Sequence, residues 1–269
     1  MLEYNDLRQA IKRYNNLVFE NKNEKERLVK LLKDVFNYGF IIKGDLRNKN
    51  LNKVGINVCP YCGRQFISSY EDDDKERNSA DLDHFFAKNY YPFLALSLYN
   101  FVPSCSICNS KHKHKKDFFK KEHLYPYKEG FGYKARFDIA ENVLISDIIT
   151  GKEKAEIIIN RDDNDEKINN SIKTFRLEQL YKNHSKDVQN LFRLIQIYSQ
   201  TYVTDIVKIL DSNIDISLGV SEKEHEDKII KELNKKIDDM MMIIFREKDD
   251  NEILSKLYND LLDKYWRNL

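Results

Sequence analysis

The sequence predicts a mostly α-helical chain: helical N- and C-terminal regions, one short β-hairpin, and between them a small unit stapled by metal. Three observations predict this. All four cysteines stand in two Cys-x-x-Cys pairs, Cys59/Cys62 and Cys105/Cys108. Apolar residues recur at helical spacing over residues 1–43 and again from about Ile168. All four prolines fall between the helical regions, with Pro60, Pro92 and Pro103 inside residues 56–125 and none after Pro126.

Residues 1–55 form the N-terminal helical region. Leu7, Ile11, Tyr14 and Val18 recur on one helix face. Asn23-x-x-Glu26 reads as a capping box ahead of Leu28, Leu31, Leu32, Val35 and Phe36. Gly44 to Gly55 is polar and reads as a connecting loop. Residues 56–127 alternate short aromatic and β-branched stretches with turns, as a small unit with a modest core would. Residues 128–269 open with a predicted β-hairpin, Val143-Leu144-Ile145 and Ile157-Ile158-Ile159 flanking Thr150-Gly151. The C-terminal helical region follows. Leu177, Leu180, Tyr181, His184, Val188, Leu191 and Ile195 share one face, which puts His184 in the core. Ser221-x-x-Glu224 reads as a second capping box, opening a helix with Ile229, Leu233, Ile237 and Met240. Leu254, Tyr258, Leu262 and Trp266 form a last stripe, read as a core face.

The 269 residues suffice for one or two domains with a sizeable core. No apolar stretch approaches the ~20 residues of a membrane span. The first residues lack the charged-then-apolar pattern of a secretory leader. Four cysteines at metal-type spacing, with none left over, suit a reducing compartment, so a cytoplasmic setting is expected. Lys+Arg 45 against Asp+Glu 44 leaves a net charge of +1, which excludes a broadly cationic surface. The charge is uneven. Glu71 to Glu76 is acidic and reads as a mobile loop. Lys111, His112, Lys113, His114, Lys115 and Lys116, extended by Lys120 and Lys121, form the segment expected to meet phosphates.

Two Cys-x-x-Cys turns aim four thiolates at one point, the ligand set of a structural Zn²⁺; two disulfides are the alternative. Between the pairs lie Asp81-Leu82-Asp83-His84 and Asn100, and Asn109 follows Cys108 directly. Histidine accepts a proton near neutrality. A carboxylate and an amide oxygen suit Mg²⁺ or Mn²⁺. These are the groups that phosphodiester hydrolysis requires.

The ordered set Cys59-Pro-Tyr-Cys62, Asp81-Leu-Asp-His84-Phe, Tyr91-Pro-Phe-Leu-Ala-Leu-Ser, Asn100-Phe-Val-Pro-Ser-Cys105 and Cys108-Asn109 resembles an HNH endonuclease. The nearest flavour is the HNH subunit of Septu-type and retron-linked anti-phage defence systems. The resemblance covers residues 56–127 and implies a small ββα-metal module within a mostly α chain. It implies His84 as general base, Asp83 and Asn109 as ligands of a catalytic Mg²⁺ or Mn²⁺, and Asn100 as the residue that ties down the loop and orients His84. Cys59, Cys62, Cys105 and Cys108 would hold the zinc, and Asp81 would orient. Family members often carry a lysine three residues after the last Asn. Here that position is His112, flanked by Lys111 and Lys113, so which of the three meets the scissile phosphate stays open, as does an approach of His112 or His114 to the metal.

With so little net charge, recognition is expected from a partner, such as the ATPase of a Septu-type system, docked on the helical region after Ile168. Nucleic acid, DNA ahead of RNA, is the expected substrate. Two other readings remain open: a non-catalytic zinc-dependent nucleic-acid-binding or adaptor protein, and a restriction-type or mobile-element nuclease acting alone.

Overall fold

Helix α1, Tyr4–Asn15, turns Tyr4, Leu7 and Ile11 into a core, while Asp6 and Glu3 close a reciprocal cap at its start. Helix α2, Lys22–Val35, starts at Asn21, whose side chain accepts from the Glu24 N–H at 3.0 Å. The cap is therefore two residues earlier than the sequence signature suggested. Val18 is 95% exposed and lies beyond α1. No residue of α2 is buried, and Leu31 and Val35 are exposed.

The computed structural model describes residues 3–39, 46–72, 75–197, 235 and 252–266. They form two compact units, residues 1–135 with 162–177 and residues 136–161 with 178–269. Aromatic contacts join distant stretches within the first unit. In the first unit Tyr4 stacks on Tyr125 at 4.5 Å and on Phe86 at 5.9 Å, and Tyr61 stacks on Phe175 at 4.4 Å. Phe85 meets Phe86, Phe118 and Tyr125 edge-on.

Residues Leu46–Val54 form helix α3, not the loop expected of Gly44 to Gly55, and Leu51 on it is buried. Strands β1, Ser69–Asp72, and β2, Lys75–Asn78, pair antiparallel, so Glu71, Asp72, Lys75 and Glu76 of the acidic run lie on paired strands. Strand β3, Asp81–His84, pairs antiparallel with β4, Phe101–Ser104, in the register Asp83↔Val102 and His84↔Phe101. A π-helix, Ile107–Lys113, follows directly. Helix α5, Glu166–Phe175, completes this unit with Ile168, Ile172 and Phe175 buried.

In the second unit β5, Ala135–Ile139, pairs with β6, Ile157–Arg161. The hairpin's first strand is thus not Val143–Ile145. Ile145, Ile148 and Ile149 recur at helical spacing, and Ile145–Thr150 is helix α4. Gly151 ends α4 with φ 81°, and a Cβ there would lie 3.0 Å from Gln189 Nε2. Gln189 and Arg193 donate to the last carbonyls of α4, those of Ile148 and Ile149.

Helix α6, Leu177–Tyr181, leads through a short turn to α7, Ser185–Ile197, and α8 is Ser255–Tyr265. Val188, Leu191, Phe192, Leu257, Leu261, Leu262 and Trp266 are buried, so these stripes are core faces. His184 is only half-buried and bonds Asp187 at 2.9 Å, so it sits beside the core rather than in it. The Ser221 capping box and the helix read after it lie outside the described residues.

Candidate active site

The chain returns on itself at Cys59-Pro-Tyr-Cys62. Gly63 N–H and Cys62 N–H both donate to the Cys59 carbonyl, at 2.8 and 3.3 Å, while Cys59 N–H donates to Gln65. Gly63 has φ 61°, a conformation that a glycine takes without strain. At the second pair Cys108 N–H donates to Cys105 Sγ at 3.4 Å. The four thiols are buried and unpaired by disulfides, and their sulfurs lie within 4.8 Å of one another. Tetrahedral zinc spaces its sulfurs ~3.8 Å apart, so the cluster fits a metal such as zinc after a small contraction. Hydrogen bonding among the crowded sulfurs holds the Cys105 thiol far below its ordinary pKa and pushes Cys108 far above. Four thiolates cannot share this space without a cation.

Strand β3 and the π-helix border a cleft of about 400 Å³, lined by Asp81, Asp83, His84, Lys88, Asn109, Lys113 and His114 among others. His84 is 7% exposed. Its ring stands edge-on to Tyr38 and Phe101, and Nε2 lies 3.0 Å from the Ala95 carbonyl. A carbonyl oxygen only accepts, so Nε2 of the neutral ring carries the hydrogen and Nδ1 keeps its lone pair. Burial pushes the His84 pKa down to about 4; the Ala95 carbonyl opposes this, and Lys88 and Lys113 add to it.

Asn100 holds the loop between β3 and β4. It is fully buried; its amide oxygen accepts from Phe86 N–H at 2.8 Å, and its nitrogen donates to the Phe86 and Leu94 carbonyls at 3.0 and 3.1 Å. Leu94 precedes Ala95, so Asn100 fixes the turn that presents the His84 acceptor.

Asp83 is committed on both sides. Tyr61 Oη donates to one oxygen at 2.6 Å and Lys113 Nζ to the other at 2.9 Å. Lys113 also donates to the His84 carbonyl at 2.6 Å and is 1% exposed. Asn109 instead donates to Asp81 Oδ2 at 3.1 Å. Asp83 thus has both oxygens hydrogen-bonded and an ammonium beside it, so as it stands it does not fit a directly held Mg²⁺ or Mn²⁺, whereas Asn109 keeps its amide oxygen.

The π-helix explains where the basic run goes. Its wide turn closes with His114 N–H on the Asn109 carbonyl at 2.8 Å, five residues back. That register turns Lys113 inward to Asp83, so Lys113 is not the solvent-facing phosphate contact expected of it. Lys111, Lys115 and Lys116 are exposed. His112 is half-buried, and its Nε2 has no hydrogen-bond partner. Burial lowers its pKa, and Arg176, Lys116 and Arg64 push the same way. Arg64 and Arg176 thus join the basic face. Arg64, directly after Gly63, was within reach of sequence reasoning; Arg176 was not. Tyr61 and the Ala95 carbonyl were also missed, although Tyr61 sits inside the first Cys-x-x-Cys.

Among the described residues no helix is long and apolar enough to cross a membrane. No protein family, curated protein or solved structure matches this chain.

Proposed function

We propose that the chain is an HNH-type endonuclease that hydrolyses phosphodiester bonds of nucleic acid, with DNA as the preferred substrate. The observation that carries this reading is the one-sided restraint of His84. Its Nε2 is tied to the Ala95 carbonyl, burial keeps the ring neutral, and Nδ1 keeps its lone pair beside the cleft. In this reading His84 takes the proton of the attacking water. Asn100 positions His84 through the Leu94–Ala95 turn. Asp83, gripped by Tyr61 and Lys113, fixes the end of β3 rather than touching substrate. Lys88 and His114 border the same cleft and would face a phosphate, with Lys111, Lys115 and Lys116 following the backbone outward. The cysteine cluster, closed on zinc, staples the strand pair to the π-helix.

The net charge of +1 leaves substrate capture to a partner, an ATPase in an anti-phage defence complex being the reading the resemblance favours. The purified chain, alone and with such a partner, is to be tested on plasmid DNA, single-stranded DNA and structured RNA. Internal cuts in one of them support the reading; intact substrates in every combination count against it.

One observation favours a second reading. Lys113 already neutralises Asp83, as in a zinc-stapled adaptor with no chemistry. That reading predicts nucleic-acid binding that survives His84→Ala without any cleavage to lose.

A further inference from the structure

We propose that Lys113 is the built-in cation of the cleft and excludes divalent metal from Asp83. The ion pair is closed: side-chain exposures are 1% and 4%, and the ammonium is 2.9 Å from Asp83 Oδ1. A second bond, to the His84 carbonyl at 2.6 Å, and the Phe118 ring 5.0 Å away hold the ammonium on its other sides. The remaining Asp83 oxygen is taken by Tyr61, itself buried. A divalent ion at Asp83 would need one of these oxygens and would meet a fixed positive charge that cannot swing into water. Removing the lysine would leave an uncompensated carboxylate on the cleft wall, an oxygen donor that a partly hydrated divalent cation can use.

The π-helix makes this possible. Its wide turn puts Lys113 on the side of β3, where the lysine meets Asp83, and leaves His112 facing Arg64 and Arg176. Lys113 is thus a positioning residue that clamps the helix to the strand bearing His84. The inference deepens the nuclease reading, but metal binding is measured without substrate, so the two stand or fall separately.

The test uses the full zinc-loaded chain and Mn²⁺, followed by electron paramagnetic resonance and by melting temperature. Asp83→Asn is expected to leave the Mn²⁺ affinity of the wild type unchanged. Lys113→Met is expected to bind Mn²⁺ at least about tenfold more tightly than wild type and to gain melting temperature with added Mn²⁺. The double variant Asp83→Asn/Lys113→Met is expected to lose that gain. A purely structural lysine would change stability without creating a metal site. Weakening of wild-type Mn²⁺ binding by about tenfold in Asp83→Asn would overturn the proposal, as would a folded Lys113→Met with wild-type affinity. If Lys113→Met does not fold, the Asp83→Asn arm decides alone.

Discussion

Two buried histidines make stability fall as the pH drops through a defined window. His84 and His123 are 7% and 2% exposed, and burial lowers each pKa from 6.5 to about 4. His123 stacks on Phe118 at 3.6 Å, with Nδ1 on the Lys121 carbonyl and Nε2 at the Thr174 hydroxyl, 2.6 and 2.8 Å away. The unfolded chain takes up protons below pH 6.5, while the folded chain holds both rings neutral down to about pH 4. Stability is therefore full above pH 6.5 and is lost as pH falls from 6.5 towards 4. Each ring accounts for about 3 kcal/mol over the whole window, and about 2 kcal/mol of that goes between pH 7 and pH 5. The difference between wild type and a variant isolates the contribution of one ring. Urea unfolding of wild type and His123→Gln at pH 7 and pH 5 measures it. The variant is expected to lose about 2 kcal/mol less than wild type on acidification. Equal losses in the two proteins would refute the assignment of a neutral buried His123.

Cys59→Ser removes one of four sulfurs that meet within 4.8 Å, and is expected to lose zinc and at least several kcal/mol, since structural zinc binding is folding energy of order 10 kcal/mol. Metal analysis and a melting curve check this; an unchanged curve would sink the staple. Asn100→Ala strips three hydrogen bonds from Phe86 and Leu94 at a fully buried position. The orphaned groups are expected to cost about 3 kcal/mol or more, and the freed Ala95 turn to slow cleavage beyond the loss of folded protein. Melting curves and rates per folded molecule separate the two effects.

What could be read from the sequence was local. The cysteine pairs are short-range turn motifs, so their meeting was legible from spacing alone. The amphipathic stripes of α1, α7 and α8 were legible for the same reason. Residues 143–150 misled because a run rich in Ile and Val fits a strand as readily as a helix until Ile145, Ile148 and Ile149 are counted at helical spacing. Helix α3 was hidden by its Asn- and Lys-rich composition. At the site, Asn100 tying down its loop could be anticipated from the resemblance. The inward turn of Lys113 could not, since a lysine in a basic run reads as solvated. Nothing in Lys111–Lys116 announces a π-helix, and it is that register, with Asp83 and Tyr61 arriving from two other segments, that decides which lysine is buried.

The central claim is that His84 acts as a base in a cleft whose fold does not depend on it. The most direct test is single-turnover cleavage by wild type and His84→Ala on whichever nucleic acid the chain cuts, with zinc content and melting temperature measured on the same samples. The account predicts matched zinc and folding with cleavage slowed by about 10²–10⁴-fold. A folded, zinc-loaded His84→Ala protein that cuts at the wild-type rate would contradict it.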